Sequence, residues 1–365
     1  MPNSVYIHIP FCKTKCNYCS FVSKKIDKSD ELECYVEALV KEIDRHYRGE
    51  TLKTIYFGGG TPSVLPVKLI EKILQKFIFI PEFCDITFEM NPDDADYDYL
   101  KKLNELGVNR LSMGAQSFDN NILKLIGRRH SAEQTIEAVE SAKRAGFNNI
   151  SLDLIYGLPT QDIDSLKNDL ETIVKLDIQH ISTYGLKIEE PSYYSKNPPE
   201  NLPDDDTQAD MYLMINEFLE SKGFKRYEIS NFAKPGFESK HNLNYWNNKE
   251  YYGFGLAAHG YQCGIRYSNK SDFEDYTIYP IRRESEHLVT PKEKFEEEIF
   301  LGFRKTEGIN TEVIKKKYFI DFDEKFKDVL NKYVPEYIEK TGNGYKLTLK
   351  GVLISNNILA EFIEG

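Results

Sequence analysis

Residues 6–21 read YIHIPFCKTKCNYCSF, and they raise the question on which the fold and the chemistry turn. A short β-like run ends at Pro10 and delivers Cys12, Cys16 and Cys19 within eight residues. A closed structural zinc site takes four ligands. His8 is a fourth candidate in principle, although it lies within the strand pattern. A redox dithiol would use Cys16 and Cys19 as a CxxC pair and leave Cys12 without a role. An iron–sulfur cluster is the remaining use, because its irons prefer thiolates. Three thiolates on a four-iron cluster leave one iron open, and an open metal position is where a substrate or cofactor binds. The next plausible ligand position, two residues after Cys19, holds Phe21.

The rest of the composition narrows the setting. The 365 residues suffice for one large domain and a small one. A hydrophobic content of 41% suits an ordinary folded core. The net charge of −11, without a long basic run, argues against a nucleic-acid partner. The opening residues MPNSVYIHIP lack the pattern of a signal peptide, and no apolar stretch approaches the ~20 residues of a membrane span. A cytoplasmic protein without a transmembrane segment is expected. In that compartment a tight cysteine cluster points to a metal or to catalysis rather than to disulfides. The isolated Cys34, Cys84 and Cys263 are expected to be small buried thiols.

β-like runs alternate with helical periodicity through the first half of the chain. The spacing predicts strands at 4–9, 54–57, 85–90, 110–116, 149–157 and 180–186. Helices are predicted at 30–47, 66–77, 97–106, 132–145 and 163–176. Ser131 and Gln134 have capping-box spacing, and Gly107 and Gly146 stand where helices should stop. Such alternation implies a parallel sheet covered by helices, α/β in class. Beyond residue 186 the pattern loosens into a Pro/Asp-rich loop, a helix at 207–222 and a polar–aromatic segment at 227–261. A charged stretch at 269–286 reads as a linker. The tail, about 293–365, reads as helix, helix, the strand GYKLTLKG and a last helix, a small winged-helix-like module.

Polar residues recur where the predicted strands end. YFGGGTPS (56–63) follows the second strand, and its glycines let backbone N–H groups approach a ligand closely. FEMNP (88–92) ends the third strand with Glu89, GAQSF (114–118) the fourth with Gln116, and LDLIYGLP (152–159) the fifth with Asp153. IGRRH (126–130) adds Arg128, a fork of donors suited to a carboxylate. Each residue alone reads as a surface or structural group. Together they mark the C-terminal ends of successive parallel strands, where an αβ barrel places its active site.

The CxxxCxxC loop after a first strand resembles the radical S-adenosylmethionine (SAM) superfamily. That resemblance implies a 4Fe-4S cluster on Cys12, Cys16 and Cys19, with SAM chelated at the open iron and cleaved by one electron to a 5′-deoxyadenosyl radical. The motifs together, over nearly the whole chain, are similar to the oxygen-independent coproporphyrinogen III oxidase family. This implies a partial parallel (β/α)6-type barrel with a small, mainly helical, winged-helix-like C-terminal domain. The implied division is a radical SAM core over 1–285, with a porphyrin- or heme-binding extension at about 187–265, and an accessory domain over 290–365. SAM contacts are implied for Tyr6, Gly59, Gly60, Thr61, Glu89, Gln116, Arg128 and Asp153.

Two features favour one branch of that family. Its decarboxylating members carry a further cysteine where this chain has Phe21, and a longer N-terminal extension. HNLNYW (241–246) matches the HNxxYW signature of a heme-chaperone branch. A neutral His can ligate heme iron, and Tyr245 and Trp246 offer flat apolar faces to a porphyrin. His241 is therefore the expected heme ligand, with His259 a second candidate. The implied function is a heme chaperone that passes heme to hemoproteins, membrane-associated acceptors among them. The alternative is an oxidase that decarboxylates coproporphyrinogen III propionates by radical SAM chemistry. The residues assign no catalytic group.

Overall fold

The computed structural model describes residues 1–26 and 30–363. Six parallel strands appear where the periodicity places them: β1 (Ser4–Ile9), β2 (Thr54–Gly59), β3 (Asp85–Met90), β4 (Arg110–Gln116), β5 (Ile150–Tyr156) and β6 (His180–Gly185). The short strands β7 (Lys225–Arg226), β8 (Asn231–Ala233) and β9 (Tyr252–Phe254) complete the sheet. Its order is β9-β1-β2-β3-β4-β5-β6-β8-β7. β9 joins β1 in parallel, whereas β8 runs antiparallel to β6 and to β7. The strand order therefore leaves two ends, as a partial barrel does.

The helices α1 (Asp30–His46), α2 (Val67–Leu74), α3 (Tyr97–Glu105), α4 (Asn120–Leu125), α5 (Ala132–Arg144) and α6 (Ile163–Lys175) form the crossovers. Their boundaries follow local chemistry. Ser131 and Gln134 form the capping box expected at the start of α5. Asp119 caps α4, a short helix that the periodicity does not reveal. The strands' apolar side chains and the helices' inner faces share one large core. The aligned register of β1 and β2, Ser4 against Thr54 through Ile9 against Gly59, is what positions the site. It brings the exit of β1, which leads into the cysteines, beside the glycine turn that follows β2.

Residues 269–286 are not a linker. Arg283–Leu288 is the edge of a three-stranded sheet with His259–Gln262 and Ile265–Asn269, and Phe273–Ile278 is helical. The strand is mostly exposed and charged, which is why its composition reads as linker. Its anchor is Arg283, whose Nη1 meets the buried Glu42 Oε1 at 2.9 Å. Glu42 also accepts hydrogen bonds from Gly255 N, Tyr276 Oη and Asn269 Nδ2. β9 is likewise missed by the periodicity, because a three-residue strand carries no period.

The C-terminal region has its own core, built on Phe295, Phe322, Phe326 and Phe362, with Tyr212 of the helix Asp205–Ser221 packed into it. It is mainly helical and encloses a small antiparallel sheet of Ile309–Asn310, Gly344–Leu347 and Ile338–Lys340. Residues 364–365 of the expected accessory domain lie outside the described residues. The expected boundary at 285 falls inside the strand Arg283–Leu288.

Candidate functional site

The loop leaving β1 is fixed at several points. Phe11–Cys12 pairs in parallel with Lys24–Lys25. Asn17 N–H donates to Ile126 O at 3.1 Å, and Asn17 Nδ2 donates to Leu125 O at 2.9 Å, so α4 props the loop. Cys12 is buried, and Cys16 and Cys19 are half-buried. All three line a cavity of about 390 Å³ inside the barrel. Gly59, Gly60, Thr61, Glu89, Gln116, Arg128 and Asp153 line the same cavity. The polar residues seen at separate strand ends in the sequence are thus brought to one place. Tyr6 and His241 are not among the lining residues.

The sulfurs have donors. Thr61 Oγ1 donates to Cys12 Sγ at 3.5 Å, and Arg128 Nη1 donates to Cys16 Sγ at 3.4 Å. A guanidinium and a hydroxyl beside sulfur are donors that can orient a metal-bound sulfur without themselves touching the metal. Arg128 is itself positioned, since its Nη2 donates to Asn91 Oδ1 at 2.7 Å and to Gly114 O at 2.6 Å. Among the described residues, no three His, Cys, Asp or Glu side chains close on a point as a single ion requires. Three cysteines lining one cavity suit a four-iron cluster, in which three irons take one thiolate each and the fourth stays open. The zinc alternative also lacks its fourth ligand. His8 Nδ1 pairs with Tyr6 Oη at 3.0 Å, and His8 Nε2 pairs with Val22 O at 2.9 Å.

Close packing explains the glycines. A Cβ on Gly60 would lie 2.7 Å from Phe11 O, so only a bare backbone lets the turn meet the cysteine loop. Gln116 has φ 67°, and the β4–β5 pairing shifts between Gly114 and Gln116. A residue with a Cβ pays for that left-handed backbone. The outlier belongs to a side chain that lines the cavity.

The carboxylates are poised by their surroundings. Glu89 Oε1 accepts from Tyr56 Oη at 2.6 Å. Burial pushes the Glu89 carboxyl up to about 7, against the hydrogen bond from Tyr56 and with nearby Asp153 adding to the rise. Burial also raises Asp153, whose Oδ1 has no partner.

His241 lies in the helix Lys240–Trp246 and is buried. Its ring stacks on Tyr56 with centroids 5.0 Å apart. Nδ1 pairs with Thr54 Oγ1 at 2.8 Å, and Nε2 pairs with Tyr245 Oη at 2.7 Å. Burial, with Arg110 adding, lowers its pKa to about 3 and keeps the imidazole neutral. Neutral imidazole is the metal-ligating form, yet both nitrogens are engaged. Tyr245 and Trp246 are half-buried, and Asn242 of the same helix lines the cavity. His259 is exposed on the small sheet. Cys84 is buried as expected, but Cys34 and Cys263 are exposed: Cys34 sits on the outer face of α1 and Cys263 in the turn between the strands His259–Gln262 and Ile265–Asn269.

The sequence reading missed Tyr56, Asn91, Arg110, Ser112 and Ser182, all of which line the cavity. A signal for two of them was present. Arg110 and Ser112 stand two apart along β4 on the face that Gln116 shares, the period of a strand.

The radical SAM superfamily model matches residues 6–173, and the HemN C-terminal domain model matches residues 289–354. The chain is 38% identical over 371 residues to the heme chaperone HemW of Lactococcus lactis, covering 99% of this chain and 97% of the relative. It is 38% identical over 377 residues to the heme chaperone HemW of Bacillus subtilis, covering 99% of each. Among solved structures, coproporphyrinogen III oxidase (HemN) from Escherichia coli, described as a radical SAM enzyme, aligns with a TM-score of 0.87. That alignment covers 99% of this chain and 90% of the other at 22% identity, a likeness of fold.

Proposed function

We propose that this chain, which belongs to the HemW heme-chaperone family within the radical SAM superfamily, binds heme and delivers it to hemoprotein acceptors. The superfamily implies a 4Fe-4S cluster and SAM. Cys12, Cys16 and Cys19 would hold the cluster, which supplies an electron when bound. Gly59, Gly60, Thr61, Glu89, Gln116, Arg128 and Asp153 would hold SAM, whereas Tyr6, the other expected contact, does not line the cavity. Thr61 and Arg128 would steady the thiolates, and the Gly60 turn would keep the cysteine loop close to the cofactor. The division into a core over 1–285 with an extension at about 187–265, and an accessory domain over 290–365, belongs to the same reading, as does a cytoplasmic location. No described helix is long and apolar enough to cross a membrane. Acceptors at the membrane would therefore be met from its surface.

The observation that carries this reading is Phe21, which stands 66% exposed on the cavity wall beside the three cysteines, where decarboxylating relatives are expected to carry a further thiol. Heme would sit toward the helix Lys240–Trp246, with His241 as its ligand. Because Tyr245 occupies His241 Nε2, ligation requires that hydrogen bond to open. The test is an anaerobic heme titration of the cluster-reconstituted protein, read by the Soret band. Saturable binding is expected, lost or spectrally altered in His241→Ala and strengthened in Tyr245→Phe, which frees the nitrogen. A wild type without saturable binding sinks the chaperone reading. Equal binding by all three proteins keeps the chaperone and moves the ligand elsewhere. Conversion of coproporphyrinogen III with loss of carbon dioxide would instead establish the oxidase alternative.

A further inference from the structure

Arg110 begins β4 and its side chain is buried, with 3% of its surface exposed. It lines the same cavity as the cysteines. Its Nε has no hydrogen-bond partner, and among the described residues no carboxylate stands within ion-pair distance of its guanidinium. Arg128, the other guanidinium on the cavity wall, also has an unpaired Nε, but both its terminal nitrogens are held, by Cys16, Asn91 and Gly114. Buried guanidinium groups are rarely left so, because a desolvated cation needs an anion or several acceptors.

A partner is near but not joined. Asp153 lines the cavity with its Oδ1 buried and unpaired. Arg110 acts on Asp153 and Glu89 electrostatically without touching either. A purely structural pair would close into a salt bridge. Two opposite charges held apart across one cavity, each with an unused atom, describe a space kept for a ligand with its own charges. The hydroxyls of Ser112 and Ser182 line that space and add neutral donors suited to oxygen.

We propose that Arg110 is the anchor for an aliphatic carboxylate bound in this cavity. A guanidinium binds a carboxylate through two parallel hydrogen bonds, which a buried site makes both strong and selective. Two ligands bring such a group: a porphyrin through a propionate, and SAM through its amino-acid end. The first source rests on the proposed heme reading and the second only on membership of the superfamily. Asn242, from the helix that carries His241, lines the cavity as Arg110 does, so a propionate at Arg110 would share its surroundings with the proposed heme ligand.

The test compares each acid with its carboxyl-blocked or carboxyl-free counterpart. Binding of heme and heme dimethyl ester, and of SAM and decarboxylated SAM, is titrated anaerobically in reconstituted wild type, Arg110→Gln and Arg110→Lys. The expected result is a loss of about tenfold or more for one acid in Arg110→Gln, with its counterpart little changed. Arg110→Lys keeps the charge but not the fork and should fall between. Loss in the heme pair assigns the propionate, and loss in the SAM pair assigns the amino-acid carboxylate. Equal weakening within both pairs, or none, overturns the proposal and leaves Arg110 as a distant counter-charge for Glu89 and Asp153. Each ratio is taken within one variant, so a general loss of stability cannot imitate the result, and Arg110→Lys carries the test if Arg110→Gln does not fold. If heme fails to bind the wild type, the chaperone reading falls while the SAM pair still decides the role of Arg110.

Discussion

Substituting Gly60 by alanine tests whether the glycine turn and the cysteine loop are built against each other. The backbone of Gly60 is not left-handed, so alanine meets no conformational objection there. The objection is space. Its Cβ would lie 2.7 Å from Phe11 O, 3.0 Å from Ile9 O and 3.0 Å from Phe11 N. Carbon and oxygen rest no closer than about 3.3 Å even in favourable contacts, so the neighbours must recede by roughly 0.5 Å. All three are backbone atoms, and the hydrogen bond from Gly60 N to Ile9 O at 2.8 Å ties the same strands together. No side-chain rotation can relieve the clash. Overpacking of this kind costs about 1–3 kcal/mol, a fall in Tm of the order of 5 °C. Cys12 follows Phe11 directly, so the displacement passes into the first thiol. The assay pairs thermal melting with iron content after anaerobic reconstitution. Gly342→Ala is the control, since nothing lies within 4 Å of its Cβ and its backbone is also not left-handed. Gly60→Ala should melt below Gly342→Ala and take up less iron. If the two variants melt together and load equally, the close approach does not constrain the loop and the reasoning fails.

Three further outcomes follow from the same geometry. Cys16→Ala should lose cluster absorbance, and a full iron and sulfide complement in that variant would contradict the cluster assignment. Glu89 has its folded pKa raised from 4.5 to about 7, so the folded state holds its proton more tightly than the unfolded chain does. The stability this contributes is complete below about 4.5 and is lost as pH rises through about 7. The ligand-free protein should therefore lose stability across that interval, and Glu89→Gln should flatten the loss; parallel pH profiles would refute the assignment. Arg283→Met strips the counter-charge from the fully buried Glu42 and should cost about 3–5 kcal/mol in denaturant unfolding. Adding Glu42→Gln should recover part of that loss, and no recovery would mean that the pair is not what holds the edge sheet to α1.

Much of the architecture was legible because it is local. The six long strands alternate with helices whose apolar faces repeat along the chain, and the capping box at Ser131 is a contact between near neighbours. The cysteine loop was legible for a different reason. Three thiols so close in sequence have few chemical uses, and their spacing survives any fold. The strand-end residues Glu89, Gln116 and Asp153 were legible as a set, since parallel strands must present their ends on one side.

The remainder depended on which elements meet. β9 pairs with β1 across more than two hundred residues, and its three residues carry no period. The charged strand Arg283–Leu288 reads as linker until Arg283 finds Glu42 in α1. His241 reads as an available ligand until Thr54 and Tyr245 take both nitrogens. Arg110 reads as an ordinary charge at a strand start until the barrel buries it without a partner. By itself the sequence determined the parallel αβ order, the three-thiolate loop and the identity of several polar cavity residues, because these rest on period, spacing and residue chemistry. Only the tertiary structure decided which polar groups are satisfied and which are left open toward the cavity, because desolvation and hydrogen-bond pairing depend on neighbours that are distant along the chain.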